Sequence, residues 1–313
     1  MIRWSAFAAW CGALLIFLAE IRPVLGQWSR QVVSPFGGID AVLQAGLLEW
    51  TRRTAFTPVW TDPPIFFPLT GVLAFMDSLL GQALLVAPVR LLGGATLAAQ
   101  YNAAYAGTLL LAGAAMVALW RASGGRARES GIAVIALLGA PYTLSELGHL
   151  NQLPMPFVIA AIAALAAAFS TRPNRWAWWA VDAALVAQAA WGWYGFAHAV
   201  IGCAAITALH FGRRAWVRWR RPGERVEAQG ARRRSASGTA LGFIVRIVLP
   251  LALAGGAVLQ LAEPYRDMGR LHPEFERPRA EVRYYSADLK HVLNAGAYRL
   301  RGGDLTGAGL RGE

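Results

Sequence analysis

The chain is short of charge. Asp, Glu, Lys and Arg make up 15% of its 313 residues, against roughly a quarter in an ordinary soluble domain, while 56% are apolar. With a mean hydropathy of +0.39, too few charges remain to build a water-facing surface, and this reading excludes a soluble globular fold. Acidic residues are the scarcer sign, 18 against 30 basic, which leaves a net charge of +12. The excess is concentrated in one place. Nine Arg fall between Arg213 and Arg234, bracketed by apolar runs, with Glu224 and Glu227 as the only acids there. That distribution reads as a cytoplasmic loop under the positive-inside rule and not as a nucleic-acid footprint, so nucleic acid is excluded as a partner. Cysteine is nearly missing. Cys11 and Cys203 both sit in apolar segments, which leaves no disulfide framework and no thiolate metal cluster. An internal repeat is lacking too, which argues against an inverted-repeat transporter.

What the chain has in quantity is apolar runs and tryptophan. Thirteen Trp, several of them close to segment ends, suit the headgroup layer of a bilayer. The expected fold is therefore all-α, a polytopic helical integral membrane protein with about seven clear transmembrane helices. A short hairpin over 66–92, turning near Asp77, would bring the total to about nine. Residues 1–26 form the first transmembrane helix on this reading, with Glu20 near its far end, and 27–65 an outer loop. Within that loop "DAVLQAGLLEWTRR" reads as an amphipathic helix lying on the membrane surface. Val42, Leu43, Ala45, Gly46 and Trp50 face one side, and Asp40 is an N-cap. Residues 66–261 are the bundle, interrupted by a basic cytoplasmic loop at 212–238, with Arg246 snorkelling from the last span. Residues 262–313 are a polar tail. Counting crossings puts the N-terminus in the cytoplasm and the tail outside, in a cytoplasmic membrane.

The same count gathers Asp40, Glu49, Asp62, His149, Asn151 and Gln152 on one side of the membrane, together with "EPYRDMGRLHPEF" from the tail. Carboxylates could deprotonate a hydroxyl, amides could bind it, and Arg52, Arg53, Arg266 and Arg270 could hold a phosphate. Each has a plainer reading as well: a helix cap for Asp40, a turn residue for Asp62, a boundary residue for His149, headgroup contacts for the arginines, and a helix cap for Asn102. No cofactor is required by these residues. A divalent ion shared by Asp40 and Asp62 is the one metal the pattern leaves open.

Gly37-Gly38-Ile39-Asp40, "PVWTDPPIFFPLTGVLAFMDSLLGQALLVAP", "YNAAYAG" and "APYTLSELGHLNQLPMPFVIAAIAAL" together resemble the bacterial polytopic glycosyltransferases of the GT-C class. That resemblance implies transfer of a sugar from a polyprenyl-phosphate donor to a glycan, lipid or protein acceptor on the outer face of the membrane, with inversion at the anomeric carbon. It implies Asp40 as general base, Asp62 and His149 as further catalytic groups, and Asn151, Gln152, Arg52, Arg53, Arg266 and Arg270 as substrate-binding residues. The chain departs from the class in ending soon after "YYSADLKHVLNA" and in carrying Asp62 where an aromatic-Asn pair is usual. The competing expectations are a non-catalytic scaffold or lipid-binding protein, and a transporter.

Overall fold

The computed structural model describes residues 2–26, 28–30, 32, 39–66, 68–75, 77–91, 96–140, 143, 150, 153, 155–170, 176–220, 245 and 248–273. Nine α-helices form over these residues: α1 (Ile2–Gly26), α2 (Ile39–Thr54), α3 (Leu80–Leu91), α4 (Leu97–Ala122), α5 (Ser130–Leu138), α6 (Pro156–Ala168), α7 (Ala177–Trp191), α8 (Trp193–Arg220) and α9 (Leu249–Leu271). Three single turns of 3₁₀ helix, Pro64–Phe66, Val72–Phe75 and Ala127–Glu129, accompany them. The chain divides into two compact units, residues 1–268 and 269–313.

In the first unit α4 is the central element, packed against α2, α3, α5 and α6, with α1 laid along α5. Its sequence explains the position. Ala98, Tyr101, Ala104, Tyr105, Thr108, Leu109 and Ala112 recur at helical spacing and are all buried, so small residues admit neighbouring helices while the two tyrosines fill the space between them. Thr96 caps the helix, its hydroxyl oxygen accepting from the Ala99 N–H at 3.2 Å. Asn102, expected to cap this helix, lies inside it and donates to the Trp28 carbonyl at 3.0 Å. A second apolar cluster joins Ala161 and Leu165 of α6 to Val181 and Ala184 of α7 and Cys203 of α8.

The multi-pass membrane architecture is overturned by element length. Two helices among the described residues are long and apolar enough to cross a membrane, at Leu97–Ala122 and Trp193–Val217, in place of about seven. The nine, thirteen and fifteen residues of α5, α6 and α7 rise only roughly 14, 20 and 22 Å at about 1.5 Å per residue, against a hydrocarbon core of about 30 Å. Apolar helices this short are more often core, interfacial or re-entrant segments than membrane spans. The expected hairpin over 66–92 is instead two single 3₁₀ turns and the twelve-residue α3. With the crossings goes the parity that set the cytoplasmic N-terminus, the outer tail and the cytoplasmic-membrane location; all three are withdrawn. Two boundaries move as well. α8 runs into the basic stretch as far as Arg220, and "EPYRDMGR" continues α9 as helix. Arg246 lies outside the described residues.

Candidate functional site

α2 carries most of the predicted site, and its orientation decides what that site is. Ala41, Gln44, Ala45, Leu48 and Thr51 are buried, at spacings of three and four, and Leu47 joins them. Val42, assigned to the apolar side, is 59% exposed. The helix is thus rotated from the expected face and held within the core against α3 and α4, not spread on a membrane surface. Two polar side chains explain the rotation. The Gln44 Oε1 accepts from the Leu150 N–H at 2.7 Å, and the Thr51 hydroxyl donates to the Ser78 carbonyl at 2.5 Å. Each satisfies a backbone group that burial would otherwise strand.

Asp40 occupies the first turn of α2 and is exposed. Its negative charge acts on Tyr101 of α4, whose hydroxyl is pushed well above the ordinary phenol range first by burial and then by that carboxylate. Tyr105, one turn on, is raised by burial, then by Glu20 of α1, then by Tyr101. A line of polar groups therefore runs through the junction of α1, α2 and α4: Glu20, Tyr105, Tyr101, Asp40. Glu20 is 8% exposed, and burial lifts its carboxyl to about 7. Neither of its oxygens has a hydrogen-bond partner among the described residues, and the same holds for the hydroxyls of Tyr101 and Tyr105. Of this line, the sequence singled out Asp40 as a candidate base and placed Glu20 near the far end of the first apolar run. Nothing in the spacing of Tyr101 and Tyr105 set them apart from core aromatics.

The remaining predicted residues are placed in structural roles or fall outside the description. The Asp62 Oδ1 accepts from the Gly71 N–H at 2.6 Å and the Thr61 hydroxyl at 3.3 Å, closing the loop between them. Arg52 is engaged by Glu49 through two bonds of 2.7 Å, and Arg53 by the same carboxylate at 2.5 Å. This fork holds Glu49 at about 2 and raises Arg52 further. Arg266 contacts Glu263 at 3.9 Å and Asp267 at 3.7 Å, and Arg270 belongs to the second unit. His149, Asn151 and Gln152 lie outside the described residues, although Leu150 and Leu153 are buried in the core that includes Ala41, Leu48 and Tyr101. Asp77 is a tether, its Oδ1 accepting from the Trp193 N–H at 2.8 Å. Among the described residues no group of three His, Cys, Asp or Glu could hold a metal ion.

An apolar groove of about 270 Å³ opens between α1, α4 and α5. Trp10, Ala13 and Phe17 line it from α1, Leu109 and Gly113 from α4, and Val134 from α5. No family model, curated protein or solved structure matches the chain. Together with the helix lengths, this removes the resemblance to polytopic GT-C glycosyltransferases and the multi-pass membrane classification drawn from it, and a transfer reaction has no support from any relative.

Proposed function

We propose that the chain catalyses group transfer to a hydroxyl, with Asp40 as the base, and that the group is a sugar carried on a polyprenyl phosphate. The carboxylate takes the proton of the acceptor hydroxyl as its oxygen attacks the anomeric carbon. The bond from that carbon to the phosphate oxygen breaks, and the lipid phosphate leaves with the bonding pair. Attack from the face opposite the phosphate inverts the carbon. The observation that supports this reading is the exposed Asp40 carboxylate in the first turn of α2, close enough to the buried Tyr101 for its charge to act on that hydroxyl. Asp40 opens α2, and Gln44, one turn later, holds the backbone at Leu150. Tyr101, kept protonated by burial and by the Asp40 charge, supplies a neutral hydroxyl on the inner side. Glu49 engages Arg52 through two bonds and Arg53 through one, and the Gly71 N–H holds one oxygen of Asp62, which ties these residues to the fold.

Transfer of labelled sugar from a panel of polyprenyl-phosphate donors by the purified chain tests the proposal, with Asp40→Asn alongside. Transfer by the wild type and a loss of 10²-fold or more in a folded Asn variant, the usual scale for general base catalysis, supports it. Equal rates in both would dismiss Asp40 as base. Absence of transfer from every donor would leave a non-catalytic lipid-binding role.

A further inference from the structure

We propose that the outward stripe of α8 docks on an anionic lipid bilayer, with the helix lying in the headgroup layer and Arg213 against lipid phosphate. Only 17% of the most apolar stretch of this helix is buried inside the molecule, so packing does not account for its composition. Helical phase separates what α8 packs from what it presents. Ala199 and Cys203 are buried, Cys203 in the cluster formed with α6 and α7. Ile201, Leu209, Trp216 and Trp219 are 69%, 73%, 51% and 67% exposed. At roughly 100° per residue these four fall within an arc of about 80°, whose middle lies about 140° from the packed pair. Tyr194, His198 and Ala205 share the arc and are exposed too. The stripe thus runs the length of the helix, and no acid lies on it, since α8 contains neither Asp nor Glu.

The C-terminal third of the helix names the partner. Arg213 and Arg214 are exposed, and Arg213 lies beside the arc, about 40° from Leu209 and about 60° from Trp216. Trp216 and Trp219 stand together, with ring centroids 5.4 Å apart. The packed neighbours add no exposed acid: α6 has no charged residue, and Asp182, the one acid of α7, is buried. Exposed aliphatic side chains and indole rings beside arginine fit a surface that is apolar beneath and anionic above, with the rings at the boundary and the guanidinium at the phosphates. Nucleic acid would answer the charge but leave Ile201 and Leu209 in water. A second copy of α8 would cover the apolar residues but bring no anion to the arginine. The helix rests on the lipid and does not cross it, because its packed face is joined to α6 and α7, whose thirteen and fifteen residues are too few to cross with it. Nothing in this assignment depends on the transfer chemistry of Asp40.

Flotation of the full chain over a range of lipid concentrations reads the proposal, with phosphatidylcholine vesicles set against vesicles of phosphatidylcholine and phosphatidylglycerol. Binding to the anionic vesicles should be tighter by about fivefold or more, the contribution of a single arginine at a charged lipid surface, and should weaken as salt is raised. Arg213→Glu should remove most of that preference. Trp219→Ser should weaken binding to the anionic vesicles by about tenfold with the circular dichroism spectrum unchanged, since both side chains lie off the packed face. Equal affinity for neutral and anionic vesicles would overturn the proposal, as would wild-type affinity in Trp219→Ser. So would failure of the wild type to float, whether the chain then dimerises through the stripe or binds duplex DNA instead.

Discussion

Glu20 holds a carboxyl group among apolar side chains, and burial alone lifts it from 4.5 to about 7. The sign of the consequence is fixed. The folded state binds this proton more tightly than the unfolded chain, so the stabilisation is complete below about pH 4.5 and is lost as pH rises through about 7. The loss is on the order of 3 kcal/mol. Thermal melting should accordingly fall between pH 5 and pH 8 in the wild type, with a flatter profile in Glu20→Gln and a higher melting temperature for that variant at pH 8. Glu49 carries the opposite sign. Its bonds to Arg52 hold it near 2, so its contribution is present above about pH 4.5 and disappears as pH falls through about 2. Replacing Glu49 with Gln should destabilise the chain by about 1 kcal/mol near neutrality, and denaturant titration at pH 7 and pH 2.5 should show the difference shrinking at the acid end.

Elements carry a different kind of information. The helix at 40–53 was legible from its apolar spacing and is present as Ile39–Thr54, yet the side it buries was not. Apolar patterning sends Gln44 and Thr51 outward, whereas both are buried because each answers a backbone group from a distant segment, at Leu150 and Ser78. Those partners lie 106 and 27 residues away, and no local pattern announces them. Asp62 is a similar case: the Gly71 N–H, nine residues on, donates to its Oδ1, in keeping with its plainer reading as a turn residue before two prolines. Gln44→Ala should therefore cost about 1–3 kcal/mol, since the Leu150 N–H is left buried and unpaired, and the change should be read as a lower denaturation midpoint. Where α5 crosses α1 the limiting feature is backbone. A Cβ at Gly131 would stand 2.9 Å from the Trp10 nitrogen and 3.0 Å from the Ala9 carbonyl carbon, neither of which can yield as a flexible side chain does. Gly131→Ala should separate the two helices at a cost of about 1–3 kcal/mol, visible in melting temperature.

At the scale of the whole molecule, composition identified a helical chain but overstated how many of its apolar runs are long enough to cross a membrane. Low charge and high hydropathy describe a membrane bundle and a set of short helices packed around α4 equally well; length separates them, and α5, α6 and α7 are too short. The candidate site exists only through that packing, because Glu20, Asp40 and the two tyrosines come from three helices separated in sequence. A carbon-13 titration of the Glu20 side-chain carboxyl in the intact chain, assigned with Glu20→Gln, tests that convergence most directly. The packed junction predicts a midpoint near pH 7, and a midpoint near 4.5, that of a carboxylate in water, would contradict it.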